Sequence, residues 1–180
     1  MKIKNLVSIA LTTWNGERFL KQQLDSILNQ SYRNIEIIIV DDCSRDGTKD
    51  IIEEYSYEEK IKFISNNENI GCNLNFMRAL EYCRGEYICF ADQDDIWESN
   101  KVELMIKNID ENDLIYTNGI LIDGEGKELN ISLSSFVQDF EMNNKEEIFK
   151  TLCFDCFITG NTLMFSRRIL EKSLKIAEST

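Results

Sequence analysis

Gly85-Glu86-Tyr87-Ile88-Cys89-Phe90-Ala91-Asp92-Gln93-Asp94-Asp95-Ile96-Trp97 holds the plan of this chain. Its apolar run, Tyr87 to Ala91, has the length and the β-formers of a buried strand, and it stops at three carboxylates within four positions. Acids this close repel one another, and removing them from water would push their pKa values up. A divalent cation relieves both problems, and hard oxygen ligands on a tight turn suit Mg2+ or Mn2+. The competing reading is a solvated turn in which Asp94 or Asp95 caps the next helix. The stretch alone does not choose between them.

Working outward, Leu6 to Leu11 reads as a first buried strand and Thr12-Thr13-Trp14-Asn15-Gly16 as the loop after it. A helix is predicted from Glu17, with Leu20, Leu24, Ile27 and Leu28 on one face. Ile35 to Val40 is a second strand ending in Asp41-Asp42. Cys43 to Thr48 is turn chemistry leading into a helix through Ile51, Ile52 and Tyr55. Ile61 to Ile64 gives a third strand and Asn66 to Asn69 a polar loop. The helix after Gly71 turns Phe76, Leu80 and Cys83 inward, and Val102, Met105, Ile106 and Ile109 mark another helix past the acids. Strand–helix units of about 30 residues predict an α/β fold, mostly parallel, with helices on both faces of the sheet. Ligands of such sheets sit beyond the carboxyl ends of the strands. That rule sets Thr12 to Glu17, Asp41-Asp42, Asn66 to Gly71 and Asp92 to Asp95 along one rim, which a site explains better than separate caps.

Leu114 to Thr117 predicts a further strand, and Leu121 to Lys127 a hairpin with an Asp-Gly turn. Residues 130 to 144 read as a polar loop and Lys145 to Leu152 as a short helix. Phe157 to Phe165 reads as a strand broken by Gly160, and Ile169, Leu170, Leu174 and Ala177 as a last helix. Proline is absent, so turns lack their usual marker.

A chain of 180 residues is one domain, or one with a short extension, able to bury a substantial core. The formal charge of −12 argues against nucleic acid as a partner, and a diphosphate would be repelled unless a cation reversed the local sign. With no histidine there is no Ser-His-Asp triad, Cys-His pair or His-containing zinc site, so a general base must be a carboxylate, Lys, Tyr or a thiolate. The six cysteines read as small core residues of a reduced protein, and Cys153-Phe154-Asp155-Cys156 has no second pair to complete a zinc site. The apolar run Leu6 to Leu11 is too short for a signal sequence or a membrane span. A cytoplasmic protein is expected, with peripheral contact at the inner face of the membrane left open.

The first loop has neither Gly-x-Gly-x-x-Gly nor a Walker sequence, so it does not cradle phosphate through glycines. Trp14 either stacks on a base or sugar or packs into the core. Asp42 either accepts from a base N–H or ribose hydroxyl or caps a helix, for which Ser44 and Asp46 are better placed.

Val7 to Gly16, Leu24 to Tyr32, Asp41-Asp42-Cys43-Ser44-x-Asp46-Gly47-Thr48, Asn69-x-Gly71-x-x-x-Asn75-Phe76 and Asp92-Gln93-Asp94-Asp95-Ile96-Trp97 together resemble family 2 glycosyltransferases. The last of these looks like the branch described as rhamnosyltransferases. The resemblance covers residues 5 to 120, with a weaker echo at Ile158 to Phe165. It implies a GT-A fold, with residues 1–120 as the nucleotide-sugar-binding half and 121–180 as part of an acceptor-side extension of the same domain. By similarity Thr12, Trp14, Glu17, Asp42, Asn69, Gly71, Asn75, Asp92 and Gln93 bind the nucleotide sugar, and Asp92 and Asp94 the metal. The implied reaction is inverting transfer from a UDP- or dTDP-sugar to a glycan or lipid-linked acceptor. Thr12 replaces the family's usual proline. The carboxylate base of this branch lies in an acidic–aromatic motif downstream of Gly160-Asn161-Thr162, and no such motif appears before Thr180, so the base is expected beyond it. Two other readings stand beside this one: a non-catalytic sugar-nucleotide-binding module, and a receiver-like signalling domain, whose acid pairs would follow other strands than the second and fourth. A nucleotidyltransferase would want a Gly-rich, Arg-containing first loop, which is absent.

Overall fold

Side-chain alternation along the first strand decides which helices lie on which face of the sheet. In the computed structural model, which describes residues 3–136 and 159–171, the strand β1 (Ile3–Thr13) turns Val7, Ile9 and Leu11 to one face and Ala10 to the other. The first face is covered by α1 (Leu20–Leu28), α2 (Thr48–Glu54) and α4 (Lys101–Ile109), through Leu20, Leu24, Ile27, Ile52, Val102, Met105 and Ile109. The second is covered by α3 (Cys72–Tyr82), through Ala79 and Leu80, with Ile169 and Leu170 of a helical turn over 167–171. Each fully buried Leu or Ile contributes roughly 2 kcal/mol by leaving water.

Seven consecutive residues of β2 (Ile35–Asp41) are buried, as a strand covered on both faces requires. β2 lies between β1 and β3 (Ile61–Ser65), while β4 (Gly85–Ala91) pairs with the opposite edge of β1; all three pairings are parallel. The chain thus steps outward from β1 to β3 and then crosses back through α3. The strand order reverses between β1 and β4, where an open sheet parts at its carboxyl ends and leaves a crevice.

Beyond β4 the sheet departs from expectation. β5 (Leu114–Tyr116) does not pair with β4. A strand from much later in the chain, β8 (Leu163–Ser166), lies antiparallel between them, preceded by a 3-10 turn over Gly160–Thr162. The predicted Asp-Gly hairpin is present, β6 (Ile120–Ile122) pairing with β7 (Glu128–Ser132), and the Asp123 carboxylate accepts the N–H groups of Glu125 and Lys127. Residues 130–132, expected in a loop, belong to that second strand. Thr12 and Thr13, also expected in a loop, extend β1 opposite Val40 and Asp41. The helix expected from Glu17 starts at Leu20, after a turn closed on the Gly16 carbonyl. The helix expected over Lys145 to Leu152, and Leu174 and Ala177, lie outside the described residues.

The end of the sheet away from the acids is closed by charge. Glu36 is buried and accepts from Ser8 Oγ at 2.6 Å, from the Arg84 N–H at 2.6 Å and from the Arg84 guanidinium at 2.8–2.9 Å. Burial works to raise this carboxyl, and the hydrogen bonds and charge of its partners outweigh it and hold it below the usual range. Gly85 begins β4 in this corner; a Cβ there would sit 2.6 Å from the Ser8 nitrogen and 2.7 Å from the Leu6 carbonyl.

Of the cysteines, Cys83 and Cys89 are core residues as expected, their thiols pushed up to about 12, chiefly by burial. Cys43 is only half-buried and Cys72 is exposed; Cys153 and Cys156 lie outside the described residues. Among the described residues no helix is long and apolar enough to cross a membrane.

Candidate functional site

The loop after β1 spends its backbone on side chains. Four consecutive N–H groups are taken: Trp14 by Gln93 Oε1 at 2.8 Å, Asn15 by Ser44 Oγ at 2.9 Å, Gly16 by Thr48 Oγ1 at 2.8 Å and Glu17 by Asp46 Oδ2 at 3.2 Å. With these four N–H groups taken, the loop does not cradle a phosphate with its backbone at residues 14–17. It offers the Trp14 indole instead, 55% exposed, which removes core packing as the explanation of that residue.

Trp14 forms one side of a cleft of about 840 Å³ over the reversal between β1 and β4. Eight of the nine residues nominated for nucleotide-sugar binding line it: Thr12, Trp14, Asp42, Asn69, Gly71, Asn75, Asp92 and Gln93; so does Asp94. Glu17 does not. Its carboxylate accepts the Gly47 N–H at 2.5 Å and steadies the turn into α2.

Placement in the lining is not availability. The Asp42 carboxylate accepts from Asn66 Nδ2 at 2.7 Å and from the N–H groups of Ile70 and Gly71 at 2.9 and 2.8 Å, so it pins the 66–71 loop and caps no helix. Asn75 is buried and joins that loop to β2, donating to the Val40 carbonyl at 2.8 Å. Gly71 has φ +86° with nothing within 4 Å of an added Cβ, so its glycine serves backbone conformation and not room. Gln93 pairs with the Trp14 peptide.

Asp92 and Asp94 are different: neither has a hydrogen-bond or ion-pair partner among the described residues, and both face the cleft. Burial first, and then the charges of Asp95 and Asp94, push the Asp92 carboxyl up to about 6. Asp95 turns away, its carboxylate taking a hydrogen bond from Asn161 Nδ2. The same Asn161 accepts Lys101 Nζ at 2.6 Å on its carbonyl, and the ammonium lies 4.0 Å from the centre of the Trp97 ring. Asn161 thus ties the strand β8 to the acidic turn. α4 has no side-chain cap, so the capping alternative for Asp94 and Asp95 fails.

Two unpartnered carboxylates, one of them already resisting ionisation, fit a divalent cation that draws its remaining oxygens from ligand and water. Among the described residues no three-carboxylate or thiolate cluster could hold a metal unaided. Sequence reasoning missed Arg45. Among the described residues it is the one cationic side chain lining the cleft, against Asp42, Glu68, Asp92 and Asp94. Its position in the turn after the second strand, three residues past Asp42 of the predicted rim, was the available signal.

The family model of glycosyl transferase family 2 matches residues 8–174. The UDP-Glc:alpha-D-GlcNAc-diphosphoundecaprenol beta-1,3-glucosyltransferase WfgD of Escherichia coli is 35% identical over 114 residues, 63% of this chain and 45% of that protein. The crystal structure of Staphylococcus aureus TarS 1–349 in complex with UDP superposes with a TM-score of 0.73 at 23% identity, covering 96% of this chain and 49% of that one. A mannosyltransferase from Pyrobaculum calidifontis, in complex with GDP-Man and Mn2+, has a TM-score of 0.64 at 17% identity, covering 93% of this chain and 46% of that one. These structures share the fold. The chain spans less than half the length of the curated relatives WfgD and its like.

Proposed function

This chain belongs to glycosyl transferase family 2 and has its GT-A fold, and on that footing we propose that it is the donor-binding part of a metal-dependent, inverting glycosyltransferase. Residues 1–120 supply the donor side, and 121–180 begin the acceptor side. The carrying observation is the cleft itself: it is lined by an exposed indole and by two carboxylates without partners among the described residues, and it is set over the reversal of strand order.

The nucleoside lies against Trp14, with Thr12 and Asn69 alongside. Asp42 acts mostly through the 66–71 loop that it pins. The diphosphate reaches toward Asp92 and Asp94, which would hold Mn2+ or Mg2+; that cation supplies charge to stabilise the departing diphosphate. An acceptor hydroxyl attacks C1 of the sugar from the face opposite the diphosphate, the C1–O bond breaks, and a carboxylate base takes the hydroxyl proton. One displacement inverts the configuration. A UDP- or dTDP-sugar is the favoured donor, since relatives in sequence and fold are named for UDP-Glc or bound to UDP. The acceptor in this reading is a hydroxyl of a surface glycan or a lipid-linked sugar, met at the inner face of the membrane; in support, the Escherichia coli relative is named for transfer to alpha-D-GlcNAc-diphosphoundecaprenol.

Isothermal titration of UDP with Mn2+ and with EDTA, on the wild type and Asp94→Ala, tests the reading. Binding in Mn2+ that is lost in EDTA and in the variant is expected. Equal affinity in EDTA defeats the metal assignment. A thermal-shift screen that stays flat across all nucleotide sugars defeats donor binding, because a ligand at about 100 times its Kd stabilises by about 2.7 kcal/mol.

A further inference from the structure

Gln93 joins the acidic turn to the indole loop through both ends of its side chain. Its Oε1 accepts the Trp14 N–H at 2.8 Å and its Nε2 donates to the Trp14 carbonyl at 3.2 Å. The β1–β4 ladder stops at Leu11 opposite Ala91, and past that pair β1 continues against β2 alone. A carboxamide carries the same donor and acceptor as a peptide. That of Gln93 therefore stands in for the next peptide of the missing ladder and bridges the crevice where the strands part.

The surroundings are built for that bridge. A Cβ on Gly16 would sit 2.3 Å from Gln93 Oε1 and 2.5 Å from its Cδ, so the loop passes the carboxamide with no room for a side chain. From the other side, Ser44 Oγ and Thr48 Oγ1 hold the N–H groups of Asn15 and Gly16, and Asn15 Oδ1 accepts the Arg45 N–H at 2.9 Å. The turn after β2 thus grips residues 15–17, and Gln93 grips Trp14 from the turn after β4. The bridge takes one N–H and one lone pair of the carboxamide and holds its plane against the Trp14 peptide.

Resting on the donor-site reading above, we propose that Gln93 is a positioning residue, which holds the Trp14 peptide across the gap between β1 and β4 and so fixes the indole as one wall of the nucleotide cleft. It acts through Trp14 and does not contact the reacting atoms.

Fluorine NMR of the protein carrying 5-fluorotryptophan tests this without any ligand. The two tryptophans, exposed Trp14 and buried Trp97, give separate resonances, assigned by Trp14→Phe. In Gln93→Ala the Trp14 resonance should shift and broaden while that of Trp97 holds. A Trp14 resonance unmoved in the folded variant overturns the proposal. Should Gln93→Ala disturb Trp97 as well, Gln93→Glu decides: it keeps an acceptor for the Trp14 N–H but turns a second acceptor on the carbonyl. Selective movement of Trp14 is again expected, and its absence overturns the proposal. UDP titrated into the same samples with Mn2+ should bind the Gln93→Ala variant about tenfold more weakly, the scale of two neutral hydrogen bonds partly lost. Equal affinity despite a moved Trp14 also overturns the proposal. Failure of UDP to bind the wild type would instead sink the donor-site reading, and the ligand-free resonances would still decide whether Gln93 anchors Trp14.

Discussion

Replacing Asp92 by Asn should stabilise the metal-free protein at neutral pH and leave it unchanged in acid. Asp92 is half-buried after β4, and burial with the charges of Asp95 and Asp94 lifts its carboxyl from the ordinary 3.8 to about 6. Between those values the folded protein holds a proton that the unfolded chain has released. Stability from this group is whole below about pH 3.8 and is lost as pH rises to about 6; above that, the ionised carboxylate exerts its full penalty. A shift of that size corresponds to about 3 kcal/mol. Because the carboxylate still meets solvent, about half of that, roughly 1.5 kcal/mol, is expected. Urea unfolding in EDTA measures it: the midpoint of Asp92→Asn should rise by roughly half a molar at about pH 7.5 and coincide with wild type near pH 4. Added Mn2+ should then stabilise the wild type more than the variant. A variant no more stable than wild type at neutral pH, or one stabilised equally at both values, would refute the reasoning.

Three further outcomes follow from other parts of the molecule. Gly85→Ala drives a Cβ into the backbone of Ser8 and Leu6, which cannot step aside, and should lose about 3 kcal/mol; a melting temperature within about a degree of wild type would contradict the contact. Glu36→Gln weakens the charge-assisted bonds to Ser8 and Arg84 and should cost roughly 2 kcal/mol at neutral pH. Since the wild-type carboxyl is held below its usual range, that advantage is present above 4.5 and fades as pH falls through the lowered value, so the two unfolding curves should converge in acid. Trp14→Ala, at an exposed position, should change stability by less than about 0.5 kcal/mol yet weaken UDP binding by about 1–3 kcal/mol in calorimetry, the range for a base stacked on an aromatic ring.

Most of the sheet was legible in residue periodicity. Val7, Ile9 and Leu11, the β-branched run of β2 and the spacing of Leu20, Leu24 and Ile27 announce their elements because burial imposes those periods locally. The rim followed from the carboxyl-end rule, and it gathered Trp14, Asp42, Asn69, Asp92 and Asp94 around one cleft. What escaped is what depends on partners distant in the chain. Four residues, Leu163–Ser166, carry no mark that they run antiparallel beside β4. Nor does the local sequence reveal that Glu17 holds Gly47, that Asp42 holds the 66–71 loop, or that Gln93 is spent on Trp14. A carboxylate or carboxamide reads the same whether it awaits a ligand or a backbone N–H, and only the fold tells the two apart.

The late strand between β4 and β5 has a consequence for how the protein is made. As the chain leaves the ribosome, β1 to β4 can assemble in turn, each against a neighbour already present. The outer edge of β4 must wait for Leu163–Ser166, and until then it presents a bare row of peptide groups open to any passing strand. Translation pausing, or a chaperone that shields an unpaired edge, would therefore matter most in that interval.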